Sequence, residues 1–205
     1  MRLYIVRHGQ TKWNKEKRMQ GWADSKLTEL GRKQAKLLGE SLENIEFNQV
    51  VSSPLGRTRE TSKLVIGDRP VELIINDNFK EMGFGSWEGQ DPEELKIKHP
   101  EVFRDLWTRA DKYVPIDGES FEELQNRIIK GINQVIKDNP DGNVLIVTHG
   151  MVIQMLLLHM KGLPLNQLWH RQVVHPTSLT VIEVKDGKAE IIKEDDIGHL
   201  ADIHS

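Results

Sequence analysis

Residues 3–9 (LYIVRHG) and 144–150 (VLIVTHG) decide how this chain is read, because each is a short apolar run that stops at His-Gly. Such a run, without polar alternation, fits a strand buried on both faces, as in a parallel sheet. Helical patterns lie between the two. Thr28 is a good N-cap for a helix carrying Leu30, Leu37, Leu38 and Leu42, and after the short strand in NQVVSSP (48–54) a second helix holds RTRETSKLVI (57–66). A brief strand is expected at 71–75, followed by FKEMGFGSWEGQ (79–90), too rich in glycine for regular structure. Ser120 and Glu123 form a capping box ahead of FEELQNRIIKGINQVI (121–136). Asp141-Gly142 turns the chain into the second quoted strand, and MVIQMLLLHM (151–160) is a mostly buried helix. TSLTVIEVKDGKAEIIKE (177–194) is a hairpin with a primed two-residue turn at Asp186-Gly187.

Strands alternating with helices predict an α/β fold: a mostly parallel sheet, helices on both faces and an antiparallel hairpin at one edge. At 205 residues, one domain over 1–205 is expected, with a helical insertion at about 89–113, where Pro92 and Pro100 punctuate a polar helical pattern. A formal charge of -3 supplies no field for nucleic acid or anionic lipid, so neither is an expected partner. The lack of cysteine excludes disulfides, thiolate catalysis and cysteine-ligated metal. The N-terminal apolar run meets Arg7 and His8 at once and is not read as a signal segment; residues 151–160, broken by Gln154 and His159, are too few to span a membrane. A cytoplasmic protein is expected. No heptad repeat or apolar stripe marks a subunit interface.

In an open α/β sheet, ligands bind beyond the carboxyl ends of the strands, so His8 and His149 share a crevice if their strands are neighbours. The strand in NQVVSSP delivers Arg57 just past its own end. Two guanidiniums, which do not deprotonate, argue for an oxyanion over a metal cation, and phosphate suits their planar forks. Gly9 and Gly150 would let backbone approach the ligand, with Thr11 and Asn14 as neutral donors. A neutral histidine at the centre of such a clamp can attack phosphorus to form a phosphohistidine that water hydrolyses, while Arg7 and Arg57 stabilise the equatorial oxygens. That scheme calls for no metal or other cofactor. The leaving alkoxide needs a proton, and Glu81, beside Met82, Phe84 and Trp87, has neighbours that would raise its pKa; Glu88 is the rival carboxylate.

Each feature also has a plainer explanation. RHG alone is compatible with a strand-end turn bearing a solvated arginine, Glu81 with a surface loop, and His149 with a satisfied core histidine; convergence of three strand ends favours a site. His99, His159, His170, His175, His199 and His204 are expected to be structural or exposed, with His175 within reach of the site. Met19, Trp13, Trp22, Phe103, Trp107 and Tyr113 are candidates for an apolar rim, although scattered aromatics are more often core. The charge runs KEKR (15–18) and KEDD (193–196) are expected to be solvated surface.

RHGQTKWN, QGWADSKLTELGRKQA, SSPLGRTRET, EMGFGSWEG, GESFEEL and VTHG, in that order over nearly the whole chain, resemble the histidine phosphatase superfamily, phosphoglycerate mutase-like branch. The resemblance implies a three-layer α/β/α sandwich. It implies His8 as nucleophile, Arg7, Arg57 and His149 as the phosphate pocket, Asn14, Gln20 and Gly21 as further ligand contacts, and Glu81 as proton donor. FGSWEG is most similar to the bacterial broad-specificity phosphatases, with phosphoserine and α-ribazole phosphatases similar at the same motifs. Cofactor-dependent mutases carry glycine-leucine-asparagine-lysine where this chain has GSWEGQD. The expected function is metal-independent hydrolysis of a small phosphate ester; a mutase and a non-catalytic phosphate-docking module are the alternatives.

Overall fold

The computed structural model describes residues 1–170 and 174–203. Its strands are β1 (Arg2–Arg7), β2 (Gln49–Ser52), β3 (Leu73–Ile75), β4 (Asn143–Thr148), β5 (Leu179–Lys185) and β6 (Lys188–Asp196). The helices are α1 (Lys12–Glu16), α2 (Glu29–Ser41), α3 (Gly56–Ile66), α4 (Pro92–Lys98), α5 (Pro100–Thr108), α6 (Phe121–Asp138) and α7 (Gly150–Met160). One sheet takes the order β3-β2-β4-β1-β5-β6, parallel from β3 to β1 and antiparallel through β5 and β6. The two quoted runs are therefore direct neighbours, with Arg7 opposite Thr148.

Alternation along these strands explains why they lack polar positions. Leu3 and Ile5 of β1, with Val144 and Ile146 of β4, enter a core shared with α6 and α7. Tyr4, Val6, Leu145 and Val147 enter a second core, on the opposite face, with α2 and α3. Both faces of the strands are covered, as parallel sheets require, and the result is the expected three-layer sandwich.

Local signals set most element ends. The Thr28 side chain accepts from Gly31 N, and Ser120 and Glu123 complete the capping box of α6. Pro92 and Pro100 sit in the first turns of α4 and α5, where their missing N–H groups cost nothing. Leu95 and Leu106 of these two helices are fully buried in the core that holds α6 and α7. Asp186 (φ 51°) and Gly187 (φ 72°) give the hairpin its primed turn. β3 is shorter than expected, Leu73–Ile75, because only Leu73, Ile74 and Ile75 find partners on β2. Among the described residues no helix is long and apolar enough to cross a membrane.

Gly9 owes its identity to packing, a correction to the expectation of ligand approach. A Cβ there would lie 2.4 Å from Gly31 O, and one on Gly31 would lie 2.1 Å from Gln10 O, so the turn after β1 rests directly on the first turn of α2. Overpacking of this kind costs about 1–3 kcal/mol. Gly31→Ala is expected to lower the unfolding free energy by that amount in urea titrations, and an unchanged midpoint would contradict the contact.

Candidate active site

Three strand ends converge as the sequence predicts. His8 follows β1 and its backbone N–H donates to Thr148 O at the end of β4 (2.9 Å); His149 follows β4 and N-caps α7. The two imidazoles lie side by side, ring centroids 5.3 Å apart. Ser53, beyond β2, shares a 2.8 Å hydrogen bond with His149 Nε2. Arg57, in the first turn of α3, is buried near them, and its charge acts on both rings.

His8 is 2% exposed and its Nδ1 lies 2.8 Å from Gly9 O. A carbonyl only accepts, so Nδ1 carries the proton and the Nε2 lone pair is free for bonding. Burial, then the charges of Arg57 and Arg7, hold the His8 pKa well below the usual histidine value. The same effects, with His8 and Arg127 added, keep fully buried His149 neutral. Arg57 donates to Ala23 O (2.8 Å), Asp24 Oδ1 (3.1 Å) and Gly21 O (2.7 Å), and Arg7 donates to Val174 O. The Nε atoms of both arginines and Nδ1 of His149 are buried and have no hydrogen-bond partner among the described residues. Burying an ion costs several kcal/mol unless it is paired. Two buried guanidiniums with donors to spare therefore form an anion-seeking centre.

A cavity of about 190 Å³ opens over these groups, lined at its base by Arg7, His8, Arg57 and Glu81. Asn14, Gln20 and Gly21 also line it, as the resemblance implies. Thr11 does not. It is fully buried behind the wall, its hydroxyl within bonding distance of Asn14 Oδ1 (3.0 Å) and Gln20 Oε1 (2.9 Å), so it positions two lining residues instead of facing a ligand. His149 likewise stands behind His8, outside the lining.

Glu81 and Glu88 are separated by their hydrogen bonds. Glu88 accepts from three backbone N–H groups, those of Trp22 (2.8 Å), Phe84 (3.0 Å) and Ala23 (2.7 Å). It anchors the loop in which Gly21 adopts φ +57°, where a Cβ would strike Glu88 Oε1 at 2.2 Å. Glu81 faces the cavity, and burial raises its pKa; hydrogen bonds from Met82 and Met151 N–H and the charges of Arg57 and Arg7 oppose that rise. It is the one carboxylate lining the cavity among the described residues.

The upper wall differs from expectation. Met19 and Trp107 line it; Trp13, Trp22, Phe103 and Tyr113 do not, and Phe84, Met151, Gln154, Trp169 and Val174 take their places. Trp107 meets Trp169 at 5.0 Å between ring centroids. Gln154 had a signal, one turn beyond Gly150 and polar within an apolar helix. Trp169, in a 3₁₀ turn at Leu165–His170, had none. Arg18, in the charge run expected to be solvated, is exposed but reaches the rim, donating to Gly89 O (2.8 Å) and pairing with Glu16. His175 bonds to Asp195 (2.7 Å) away from the lining, and His204 lies outside the described residues.

The neutral histidines make stability pH-dependent. A histidine with a depressed folded-state pKa binds a proton less readily than in the unfolded chain, so stability is lost as pH falls below the ordinary 6.5. The slope approaches about 1.4 kcal/mol per pH unit for each group. Urea unfolding below that pH is expected to show a shallower slope in His149→Asn, by up to the contribution of one histidine; His8 and His199, lowered likewise, and Glu81, raised and acting in the opposite sense, are common to both proteins and cancel in the difference. Equal slopes would mean that His149 is not held neutral.

The comparisons with known proteins agree with this geometry. The family model described as histidine phosphatase superfamily (branch 1) matches residues 3–196. Phosphoserine phosphatase 1 of Hydrogenobacter thermophilus is 31% identical over 205 residues, covering 100% of this chain and 96% of that protein. The adenosylcobalamin/alpha-ribazole phosphatase of Salmonella typhimurium is 35% identical over 173 residues, 84% of this chain and 86% of that protein. The solved structure of Bacillus stearothermophilus YhfR superimposes with a TM-score of 0.95 at 38% identity, covering 97% of this chain and 98% of that one. Match, coverage and fold together place the chain in the histidine phosphatase superfamily, branch 1.

Proposed function

We propose that this chain, a phosphatase by family, is a cytosolic, metal-independent phosphomonoesterase that works through a phosphohistidine on His8 Nε2. The observation that carries this is the hydrogen bond from His8 Nδ1 to Gly9 O, which leaves a neutral Nε2 with its lone pair beside two guanidiniums and one cavity-facing carboxyl. A phosphate ester on that cavity floor would place its phosphoryl oxygens against Arg7, Arg57 and the N-terminus of α7, whose dipole favours an anion.

The chemistry then runs in two displacements. Nε2 attacks phosphorus as the ester P–O bond breaks, and the leaving alkoxide takes the proton of Glu81 to depart as an alcohol. Water next attacks the phosphohistidine, Glu81 accepts its proton, and the P–N electron pair returns to Nε2 as inorganic phosphate forms. Burial favours both required forms at once, neutral His8 and protonated Glu81. Asn14, Gln20 and Gly21 complete the phosphate end, His149 supports His8 from behind, and Met19, Phe84, Trp107 and Trp169 face the organic part of the ester.

The first test is phosphate release with EDTA present, across para-nitrophenyl phosphate, phosphoserine, α-ribazole phosphate, aliphatic phosphates and phosphoglycerate. Release is expected without metal, with inhibition by vanadate. Isomerisation of phosphoglycerate without release would instead indicate a mutase, and silence throughout a docking module. His8→Ala is expected to abolish turnover and radiolabelled phosphoenzyme; full activity in that variant would refute the nucleophile. Glu81→Gln should lower kcat/KM by about 10²–10⁴ for alkyl esters, the range for a lost general acid, and much less for para-nitrophenyl phosphate, whose leaving group departs unprotonated. kcat/KM is the proper readout because it reports the first displacement alone.

A further inference from the structure

GESFEEL is the one motif of the sequence that the proposed chemistry leaves without a task. Its Glu119 is joined to Arg127 of α6 by a two-pronged ion pair, Nε to Oε1 at 2.5 Å and Nη2 to Oε2 at 2.8 Å, with side chains only 17% and 9% exposed for the arginine and the glutamate. The remaining donors of Arg127 all go to one short segment: Asn78 O (2.9 Å), Lys80 O (2.6 Å) and Glu81 O (2.7 Å). Glu119 grips the same segment from its far side. Its Oε2 accepts from Gly83 N (3.2 Å) and its own N–H donates to Gly83 O (2.7 Å). The pair thus straddles residue 81, holding the backbone on both sides of it.

The surroundings reinforce the grip. Gly131 lies one helical turn beyond Arg127 on the same face of α6, and a Cβ there would come within 2.8 Å of Asn78 Cβ, so the helix approaches the segment as closely as backbone permits. Thr148 Oγ1, at the end of β4, donates to Phe79 O (2.8 Å), and Trp22 Nε1 adds a second donor to Glu81 O (2.8 Å). The segment has no regular hydrogen-bonded structure beyond a single 3₁₀ turn at Asp77–Phe79. Its shape is therefore imposed by these side chains.

We infer that the Glu119–Arg127 pair is a positioning device for proton donation: it fixes the backbone of residues 78–83 so that the Glu81 carboxyl meets the leaving-group oxygen. The inference rests on the proposal that Glu81 is the general acid. A planar fork that engages a carboxylate and three carbonyls has no substitute in lysine, whose ammonium offers a point charge. Misplacement of a catalytic group by about 1 Å costs up to roughly 10² in rate.

The test compares Glu119→Gln and Arg127→Lys with wild type on an alkyl phosphate and on para-nitrophenyl phosphate. Glu119→Gln keeps the shape of the pair and guards against a folding failure in the arginine variant, with thermal melts run on both. The ratio of alkyl to aryl kcat/KM is expected to fall about tenfold or more in each. Glu119→Gln combined with Glu81→Gln should lower that ratio no further than Glu81→Gln alone, because a device that acts through Glu81 has nothing left to position. An equal loss on both substrates, or none, would overturn the inference while leaving the general acid in place, provided Glu81→Gln itself discriminates between them. A Glu81→Gln variant that shows no discrimination would overturn the general acid and this inference with it.

Discussion

Parallel pairing of β1 with β4 is the constraint on which the site depends. Neighbouring strands lie about 4.8 Å apart, and the register that sets Arg7 opposite Thr148 places the following histidines one strand spacing apart, His8 facing the cavity and His149 behind it, in accord with the 5.3 Å between their rings. The pairing holds because both strands are apolar on both faces, so neither can slip by one residue without exchanging its two cores. Arg57 then needs only the next strand and the first turn of its helix to reach the same point.

Burial at that point has opposite effects on groups of opposite charge type. It holds the two imidazoles neutral and favours the protonated carboxyl of Glu81, whereas the guanidiniums remain charged because nothing at accessible pH removes their protons. A single cause therefore yields an imidazole with a free lone pair, a carboxyl whose protonated form is favoured and fixed positive charge beside both, the set that the proposed displacement on His8 calls for. Distance from solvent matters more here than any one ion pair: Asp24, the closest carboxylate on Arg57, is itself 41% exposed.

The strands, the long helices and the hairpin were legible because each carries its own periodicity and punctuation, as Thr28, Ser120 and Asp186-Gly187 illustrate. Arg7, His8, Arg57 and His149 were legible because strand ends have only one place to point. Glu81 and Glu88 were not separable: they share one loop, and the difference lies in N–H groups of Trp22 and Ala23 far away in the chain. Thr11 looked like a ligand donor from its nearness to His8, yet a hydroxyl that caps α1 is already engaged. Trp169 joined the wall through the pairing of its 3₁₀ turn with α5, two segments that share no sequence pattern. Gly9 was marked as necessary for the wrong reason, since its neighbour is α2 and not a ligand.

The cavity has two ends of different origin. Its floor gathers at strand ends, with Arg7 and His8 at the end of β1 and Arg57 just past β2, whereas part of its upper wall comes from α5, which brings Trp107, and the turn that brings Trp169, neither of which pairs with any strand. Replacing residues in those two segments would alter the volume and chemistry that the cavity offers to the alcohol portion of the proposed ester without disturbing the register that holds the histidines. On the proposed chemistry the architecture separates inheritance from adaptation: a lineage could exchange one alcohol for another by reshaping a helix and a turn, while the part that would handle phosphorus passes on unchanged.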